Sequence, residues 1–274
     1  MNSRKNSLHY IGGCIHQAIS YKTILVILGI AFCICLDTWN QLPFLFKDVS
    51  GISVYYYIVN SLIYGGHYVP YVVPMLSVLV FTTSYCKEMN NGMDFLIVGR
   101  LGSIEKYAGI KVLTSSVGGG IISMLGFMLF VFGAGLFKPL YDTSVNQEAS
   151  GFPYFQELLI HKGIGYFMII FYLVFLSGML WNSLALLCSA YLKNMYATVA
   201  SPLLIYYILQ RIYSYLGVPR EWRLDCWLNG ISTCISEKMT LLVSTLTVCT
   251  IILFASILFW NKIKQQMEGG KNDA

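Results

Sequence analysis

The chain has 274 residues, of which 56% are hydrophobic and only 11% are charged, and its formal net charge is +5. An ordinary soluble domain carries about 25% charged residues, so this composition excludes a water-soluble enzyme or carrier. Several uncharged stretches are long enough for a helix to cross a bilayer, which takes about 20 residues. The sequence therefore predicts an all-α, polytopic membrane bundle of about six transmembrane helices.

A basic N-terminal segment precedes the first predicted span. Residues 1–21 are partly amphipathic and suited to lying along the inner headgroups. The first span is predicted from Ser20 to Trp39. Polar residues follow Leu36 where a signal peptide would show a small-residue cleavage site, so we expect this helix to be retained.

An aromatic segment separates the first span from the second. Gly65 and Gly66 interrupt an uncharged stretch that is too long for one helix and too short for two. We predict an outer interfacial segment over 54–64, followed by the second span from Tyr68 to Cys86. A re-entrant hairpin over 52–64 stays open as an alternative.

Four further spans follow in chain order. They are predicted from Val112 to Phe137, within Gly163 to Leu192, from Met195 to Tyr213 and from Met239 to Trp260. Residues 138–162 and 214–238 then form extracytoplasmic loops. Cys226 and Cys234 share the second loop, and a disulfide between them stays open because the sequence alone does not determine its geometry.

The basic residues give the chain an orientation. With both termini inside, 11 of the 18 Lys and Arg residues lie on the inner side, as the positive-inside rule requires. Arg211, Arg220, Arg223 and Lys238, near the last outer loop, oppose this bias. We therefore expect a multi-pass protein of the cell membrane with its N and C termini in the cytoplasm.

The spans lack the residues of an intramembrane enzyme. No H-E-x-x-H, G-x-S-x-G or paired glutamates occur, so we predict no catalytic residue and no metal site. A G-x-x-x-x-G-K-[ST] phosphate loop is also missing, so no cofactor is expected in this chain. Asn182 and Arg211 lie nearest to membrane depth. We interpret them as an interhelical hydrogen-bonding residue and a snorkelling helix end.

Glycines recur along the third span. Gly119, Gly126 and Gly133 are spaced by seven residues, which places them on one helix face. Small residues on one face let a second backbone approach closely, so this stripe predicts helix packing. A dimer contact or a moving seam at the same face stays open.

The inner loop over 87–111 is polar and charged between two apolar spans. Met93, Leu96 and Ile97 recur at helical spacing before Gly99 breaks the pattern, which predicts a short amphipathic helix. Ser103 is a candidate cap for the next helix. A helix of this kind suits docking into a groove on a cytoplasmic partner, although an ordinary interfacial linker is the alternative.

This loop resembles the one after the second span in permeases of the type-2 class of ABC transporters. The resemblance rests on an acidic residue, a glycine, an apolar triplet, a basic turn and a lysine before the next span. These are Glu88, Gly92, Phe95-Leu96-Ile97, Arg100, Ser103 and Lys111. The family's turn contains a proline, whereas Leu101-Gly102-Ser103-Ile104 has none. Six spans in a short chain, the amphipathic N-terminal segment and the long polar loop between the second and third spans are similar to the family as well.

The resemblance implies a permease that exports a peptide, antibiotic or other amphipathic substrate. Two permease copies, or one copy and a paralogue, would pair with separate cytoplasmic ATPases that bind ATP and Mg. The first, second and fifth spans would line a pathway between the copies. Membrane lipid is expected as a further partner, and nucleic acid is not. Residues of the ATPase-coupling loop would be Glu88, Gly92, Asp94, Phe95, Leu96, Arg100, Ser103 and Lys106.

Two other classes of function remain open from the sequence. One is a channel that needs no ATP, and the other is a membrane assembly or immunity protein. The patterned inner loop favours a protein with a cytoplasmic partner over a free channel.

Overall fold

The structure, a computed structural model, describes residues 10, 12–13, 20–47, 53–64, 67–141, 163–192 and 194–269. These parts of the chain are helical, and no strand occurs among them. The helices are α1 (Tyr21–Asp37), α2 (Val54–Val59), α3 (Tyr68–Asn90), α4 (Met93–Leu101), α5 (Ile104–Gly135), α6 (Gly163–Leu192), α7 (Met195–Tyr215), α8 (Leu224–Leu228) and α9 (Glu237–Gly269). Short 3-10 helices follow α1 at Trp39–Phe46 and α7 at Arg220–Trp222, and a π-helical turn, Asn60–Tyr64, follows α2.

Four of the described helices are long and apolar enough to cross a membrane, namely α3, α5, α6 and α9. Helix α1 and the 3-10 helix after it, bent by 95°, provide a fifth crossing if the pair is one span. The predicted class, an all-α membrane protein, is therefore confirmed. The predicted count of six spans is not, because α7 is not among the helices of sufficient apolar length.

Several helices extend beyond the predicted spans. Helix α5 begins at Ile104 rather than at Val112, and α9 continues past Trp260. An uncharged stretch of sequence identifies only the part of a helix that can lie in hydrocarbon. The backbone hydrogen bonds of the helix continue into polar turns beyond that part. The inner loop is correspondingly shorter than 87–111, since its first residues belong to α3 and its last to α5.

The long helices pack around α5 and α6, which share the largest helix–helix contact. Helix α3 contacts α5 and α6 on one side and also packs against α1 and α7. One hydrophobic cluster holds the last turns of α3 and α9 with the first turns of α5. This end of the bundle also carries α4 and is called the α4 end. Helices α2 and α8 lie toward the opposite end.

The aromatic segment packs most of its described side chains into the hydrophobic core. Within α2, Val54, Tyr57 and Ile58 are at most 1% exposed. The Tyr57 hydroxyl donates to the carbonyl of Gln41 at 3.0 Å, and the Val54 amide donates to the carbonyl of Pro139 at 3.1 Å. Side chains of this segment are therefore buried against other helices, and its position at the outer membrane interface stays a prediction. The ring of Tyr57 packs near Phe130 of α5 and that of Tyr55 near Tyr166 of α6, an arrangement that the local sequence does not show.

One carboxylate joins the end of α1 to the start of α3. Asp37 accepts backbone hydrogen bonds from His67, Tyr68 and Val69 at 2.8, 2.9 and 2.8 Å. The first amides of a helix have no partner within the helix, and a carboxylate there also complements the helix dipole. Asp37 therefore acts as an N-cap contributed from a distant part of the chain.

We expect Asp37→Ala to lower the free energy of unfolding by about 2 kcal/mol, the upper end for loss of an N-cap, because three donors lose their acceptor. Asp37→Asn keeps one carbonyl acceptor and should retain part of the stability. Thermal unfolding of the purified chain in detergent measures both variants. An unchanged melting temperature for Asp37→Ala would contradict this role of the carboxylate.

Candidate functional site

Helix α4 is a short helix set off by two glycines at the end of the bundle. Gly92 and Gly102 adopt left-handed backbone conformations, with φ of 64° and 71°, immediately before and after the helix. L-residues other than glycine rarely adopt this conformation, which allows sharp turns on both sides of the helix. The chain therefore turns between α3 and α4 and again between α4 and α5 within a few residues.

Helix α4 exposes several large apolar side chains. Met93, Phe95 and Leu96 are exposed by 49%, 53% and 65%. Asp94 and Leu101 are buried on the other side, where α4 contacts α3 and α5. Large apolar side chains are therefore exposed on this short helix together with the charged Arg100.

Two details of the predicted loop are wrong. Gly99 does not end the short helix, which continues through Leu101 and ends at Gly102. Glycine weakens a helix but does not terminate it unless its backbone leaves the helical region, as that of Gly102 does. Ser103 occupies the N-cap position of α5 with extended backbone, yet its side chain makes no capping hydrogen bond. Arg100 and Lys106 lie exposed on either side of this turn, in α4 and α5.

A buried ion pair lies directly behind α4. Lys111 Nζ lies 2.6 Å from Glu88 Oε1, and the two side chains are only 4% and 13% exposed. The hydroxyls of Tyr107 and Tyr10 donate to Glu88 Oε2 at 3.0 and 3.2 Å. Lys111 Nζ also donates to Ser84 Oγ at 3.4 Å. Both carboxylate oxygens and the ammonium therefore have partners, which a buried pair requires in order not to destabilise the fold.

The ion pair joins the two helices that flank α4. Glu88 stands in the last turn of α3, whereas Tyr107 and Lys111 are one turn apart near the start of α5. Tyr10, from the N-terminal part of the chain, places its ring 5.6 Å from Lys111 Nζ. Sequence reasoning named both Glu88 and Lys111 in the motif of the inner loop but did not predict that they pair. The apolar neighbours of Lys111 in the sequence were a signal that this lysine is buried.

A polar network crosses the middle of the bundle around Asn182, which is fully buried. The Asn182 amide donates to Ser77 Oγ at 2.8 Å and to the carbonyl of Gly178 at 2.9 Å. Thr82 Oγ1 donates to Asn182 Oδ1 at 3.3 Å and lies 2.8 Å from Ser115 Oγ. The network thus connects α3, α5 and α6. Its geometry agrees with the interpretation of Asn182 as an interhelical hydrogen-bonding residue.

The three glycines of the predicted stripe have different surroundings. A Cβ at Gly119 would lie 2.0 Å from Asn182 Nδ2, and one at Gly126 would lie 2.5 Å from Ile30 Cγ2 of α1. At Gly133 the described structure has no atom within 4 Å of that position. The first two glycines therefore face close neighbours on two different helices. Gly133 has none, because its level of α5 lies beside open space.

The predicted outer loop forms a small folded unit around α8. Asp225 accepts hydrogen bonds from Arg223 and Gln210, with Arg223 Nη2 at 3.0 Å from Asp225 Oδ2. Cys226 and Cys234 are free thiols here, so the disulfide is not present. Burial and the neighbouring Asp225 carboxylate raise the pKa of Cys226 to about 11. This thiol is therefore protonated at neutral pH and a poor nucleophile for disulfide exchange.

The α4 end combines a helix with exposed apolar side chains and a buried ion pair that joins the adjoining helix ends. No cluster of His, Cys, Asp and Glu that would hold a metal ion occurs in the described ranges.

Comparisons with known protein families, curated protein sequences and solved structures give no match for this chain.

Proposed function

We propose that this chain is the membrane permease subunit of an ATP-driven transporter of the ABC type, with α4 as the helix that docks on a separate cytoplasmic ATPase. The observation that carries the proposal is the exposure of Met93, Phe95 and Leu96 on α4 at the end of the bundle. A helix that presents such anchors fits a hydrophobic groove on a partner. The α4 end is then the cytoplasmic end.

The ion pair behind α4 supports a role in force transmission. Helix α4 contacts both α3 and α5, and Glu88 joins these helices through Lys111 and Tyr107. A displacement of α4 by the ATPase is therefore passed to two long helices together. Rigid, fully hydrogen-bonded connections of this kind transmit movement better than a loop that deforms on its own.

The placement of α1, α3 and α7 supports a transport pathway shared with a second permease copy. Helix α3 packs against both α1 and α7. The three helices correspond to the predicted first, second and fifth spans, which the resemblance to ABC permeases assigns to a pathway. Large apolar side chains such as Phe32 and Ile208 are more than half exposed on α1 and α7. The few charges within the spans favour a peptide, antibiotic or other amphipathic cargo.

Co-purification with candidate ATPases tests the proposal. The double variant Phe95→Ala/Leu96→Ala should weaken ATPase binding by about tenfold or more, because each buried apolar side chain contributes about 1.5–3 kcal/mol. Permease-stimulated ATP hydrolysis should fall with it. Leu113→Ala is the matched control, since Leu113 is 57% exposed on α5 and belongs to no part of the proposed docking face.

Two outcomes would contradict the proposal. One is that no ATPase binds the intact chain. The other is that the Phe95→Ala/Leu96→Ala variant binds and stimulates an ATPase as well as the Leu113→Ala control does. Ion conductance by the purified chain alone in liposomes would then support the channel alternative.

A further inference from the structure

A groove opens between α5 and α9 at the α4 end, away from α4 itself. Its volume is about 320 Å³, within the range of about 300–1,000 Å³ that is usual for small-ligand sites. The lining comes from the first turns of α5 and the later turns of α9. These residues are Glu105, Ala108, Gly109, Val112, Ser256, Ile257 and Trp260.

The floor and walls of the groove suit a hydrocarbon chain. Ala108 and Val112 are buried beneath it, while Ile257 is 54% exposed along its side. The hydroxyl of Ser256 already donates to the carbonyl of Ile252 at 2.6 Å, so it requires nothing from an occupant. Gly109 has no atom within 4 Å of a Cβ position, which leaves room for an occupant over the helix backbone.

Opposite charges stand at the rim of the groove. Helices α5 and α9 run in opposite directions, so Glu105 and Trp260 both lie at the end nearer to α4. Lys264 follows one turn after Trp260, and its Nζ lies 5.8 Å from the Trp260 ring. Lys264 is paired only loosely with Glu268, at 3.9 Å between exposed side chains. An exposed pair of this kind is weak, so the lysine can turn to another anion.

We propose that this groove binds one acyl chain of an ethanolamine phospholipid in the leaflet at the α4 end. The ammonium of the headgroup donates hydrogen bonds to Glu105, and Lys264 contacts the phosphate. A choline headgroup has no N–H to donate, and an anionic headgroup without an amine would face the Glu105 carboxylate. The complementary charges therefore select a zwitterionic lipid with a primary amine. This inference does not depend on the proposed transport function.

Fluorescence quenching of Trp260 tests the site in the full chain. The protein is reconstituted in phosphatidylcholine vesicles that contain increasing fractions of brominated phosphatidylethanolamine, phosphatidylglycerol or phosphatidylcholine. The Trp260 signal is the difference between the unaltered chain and Trp260→Phe. We expect the ethanolamine lipid to quench with about tenfold higher apparent affinity, the size that a charge-assisted hydrogen bond supplies.

Two variants make the test specific. Gly109→Leu fills the groove, and Glu105→Gln removes the charge that binds the ammonium, so both should bring quenching to the choline-lipid level. Gly133→Leu is the matched control, because Gly133 also has open space on α5 but lies outside the groove. If Gly109→Leu does not fold, Glu105→Gln alone decides the outcome.

Three results would overturn the proposal. Equal quenching by the three lipids would mean that only annular lipid reaches Trp260, and stronger quenching by phosphatidylglycerol would mean an anionic site. Chemical cross-linking of the reconstituted protein gives the third result. If the unaltered chain shows no lipid preference but forms a cross-linked dimer that Gly109→Leu does not form, the groove belongs to a second copy of the chain.

Discussion

Glu88→Ala is expected to lower the free energy of unfolding by about 3–5 kcal/mol, because it leaves the Lys111 ammonium buried without its carboxylate. Lys111 is 3% exposed, and Ser84 Oγ at 3.4 Å is the other hydrogen-bond acceptor that the structure gives its Nζ. The hydroxyls of Tyr107 and Tyr10 lose their shared acceptor as well. Since a folded protein is stable by only about 5–15 kcal/mol, this loss should reduce the yield of folded protein.

A double-mutant cycle separates loss of the pair from loss of one partner. Glu88→Gln/Lys111→Met removes both charges and keeps an acceptor for the two tyrosines, so it should recover to within about 1–2 kcal/mol of the unaltered chain. The free energy of unfolding is measured in mixed micelles for the unaltered chain, Glu88→Gln, Lys111→Met and the double variant. Additive effects of the two single substitutions would show that the charges do not interact. Lys264→Ala, which breaks an exposed pair, should cost at most about 1 kcal/mol.

The class of protein and the position of the short helix were predictable from the sequence. Both follow from local patterns, namely long uncharged windows and the spacing of Met93, Leu96 and Ile97. A charge in hydrocarbon is so unfavourable that charge-free windows identify helices which suit a membrane. The same windows do not give helix ends, and Ile104–Gly135 exceeds its predicted span because polar turns stay helical beyond the apolar part.

The partners of the buried polar residues were not predictable. Tyr10 meets Glu88 across 78 positions of the chain, and Asn182 meets Ser77 across 105. These pairs depend on which helices are neighbours, and a single sequence contains no direct signal for that. Lys111 is an intermediate case. Burial of its side chain was a reasonable inference from its apolar flanks, but its carboxylate partner follows only from the packing of α3 on α5.

The glycine stripe shows the same division between local and tertiary information. A spacing of seven does place three residues near one face, with a drift of about 20° per repeat. The face alone does not reveal which helix lies opposite. Gly119 meets α6 and Gly126 meets α1. The glycine that matches Gly119 across the interface is Gly178 of α6, which the predicted stripe did not include.

Gly178→Ala is expected to lower the free energy of unfolding by about 1–3 kcal/mol, the usual cost of overpacking, or more. Its Cβ would lie 2.8 Å from the carbonyl oxygen of Gly119, 2.8 Å from the Cα of Gly120 and 2.7 Å from Ser123 Oγ. Two of these three atoms belong to the backbone of α5. A side-chain rotation therefore does not relieve the clash, and the two helices must separate.

Separation of α5 from α6 should also strain the Asn182 network, which reaches α5 through the contact of Thr82 with Ser115. Gly133→Ala is the control, since it adds the same methyl group to open space and alanine is favoured over glycine in a helix by up to about 1 kcal/mol. Thermal unfolding in detergent should thus show a lower melting temperature for Gly178→Ala and an unchanged or higher one for Gly133→Ala. Equal melting temperatures for the two variants would mean that α5 and α6 do not approach each other at Gly178. The close approach of Asn182 to Gly119 of α5 would then be contradicted as well.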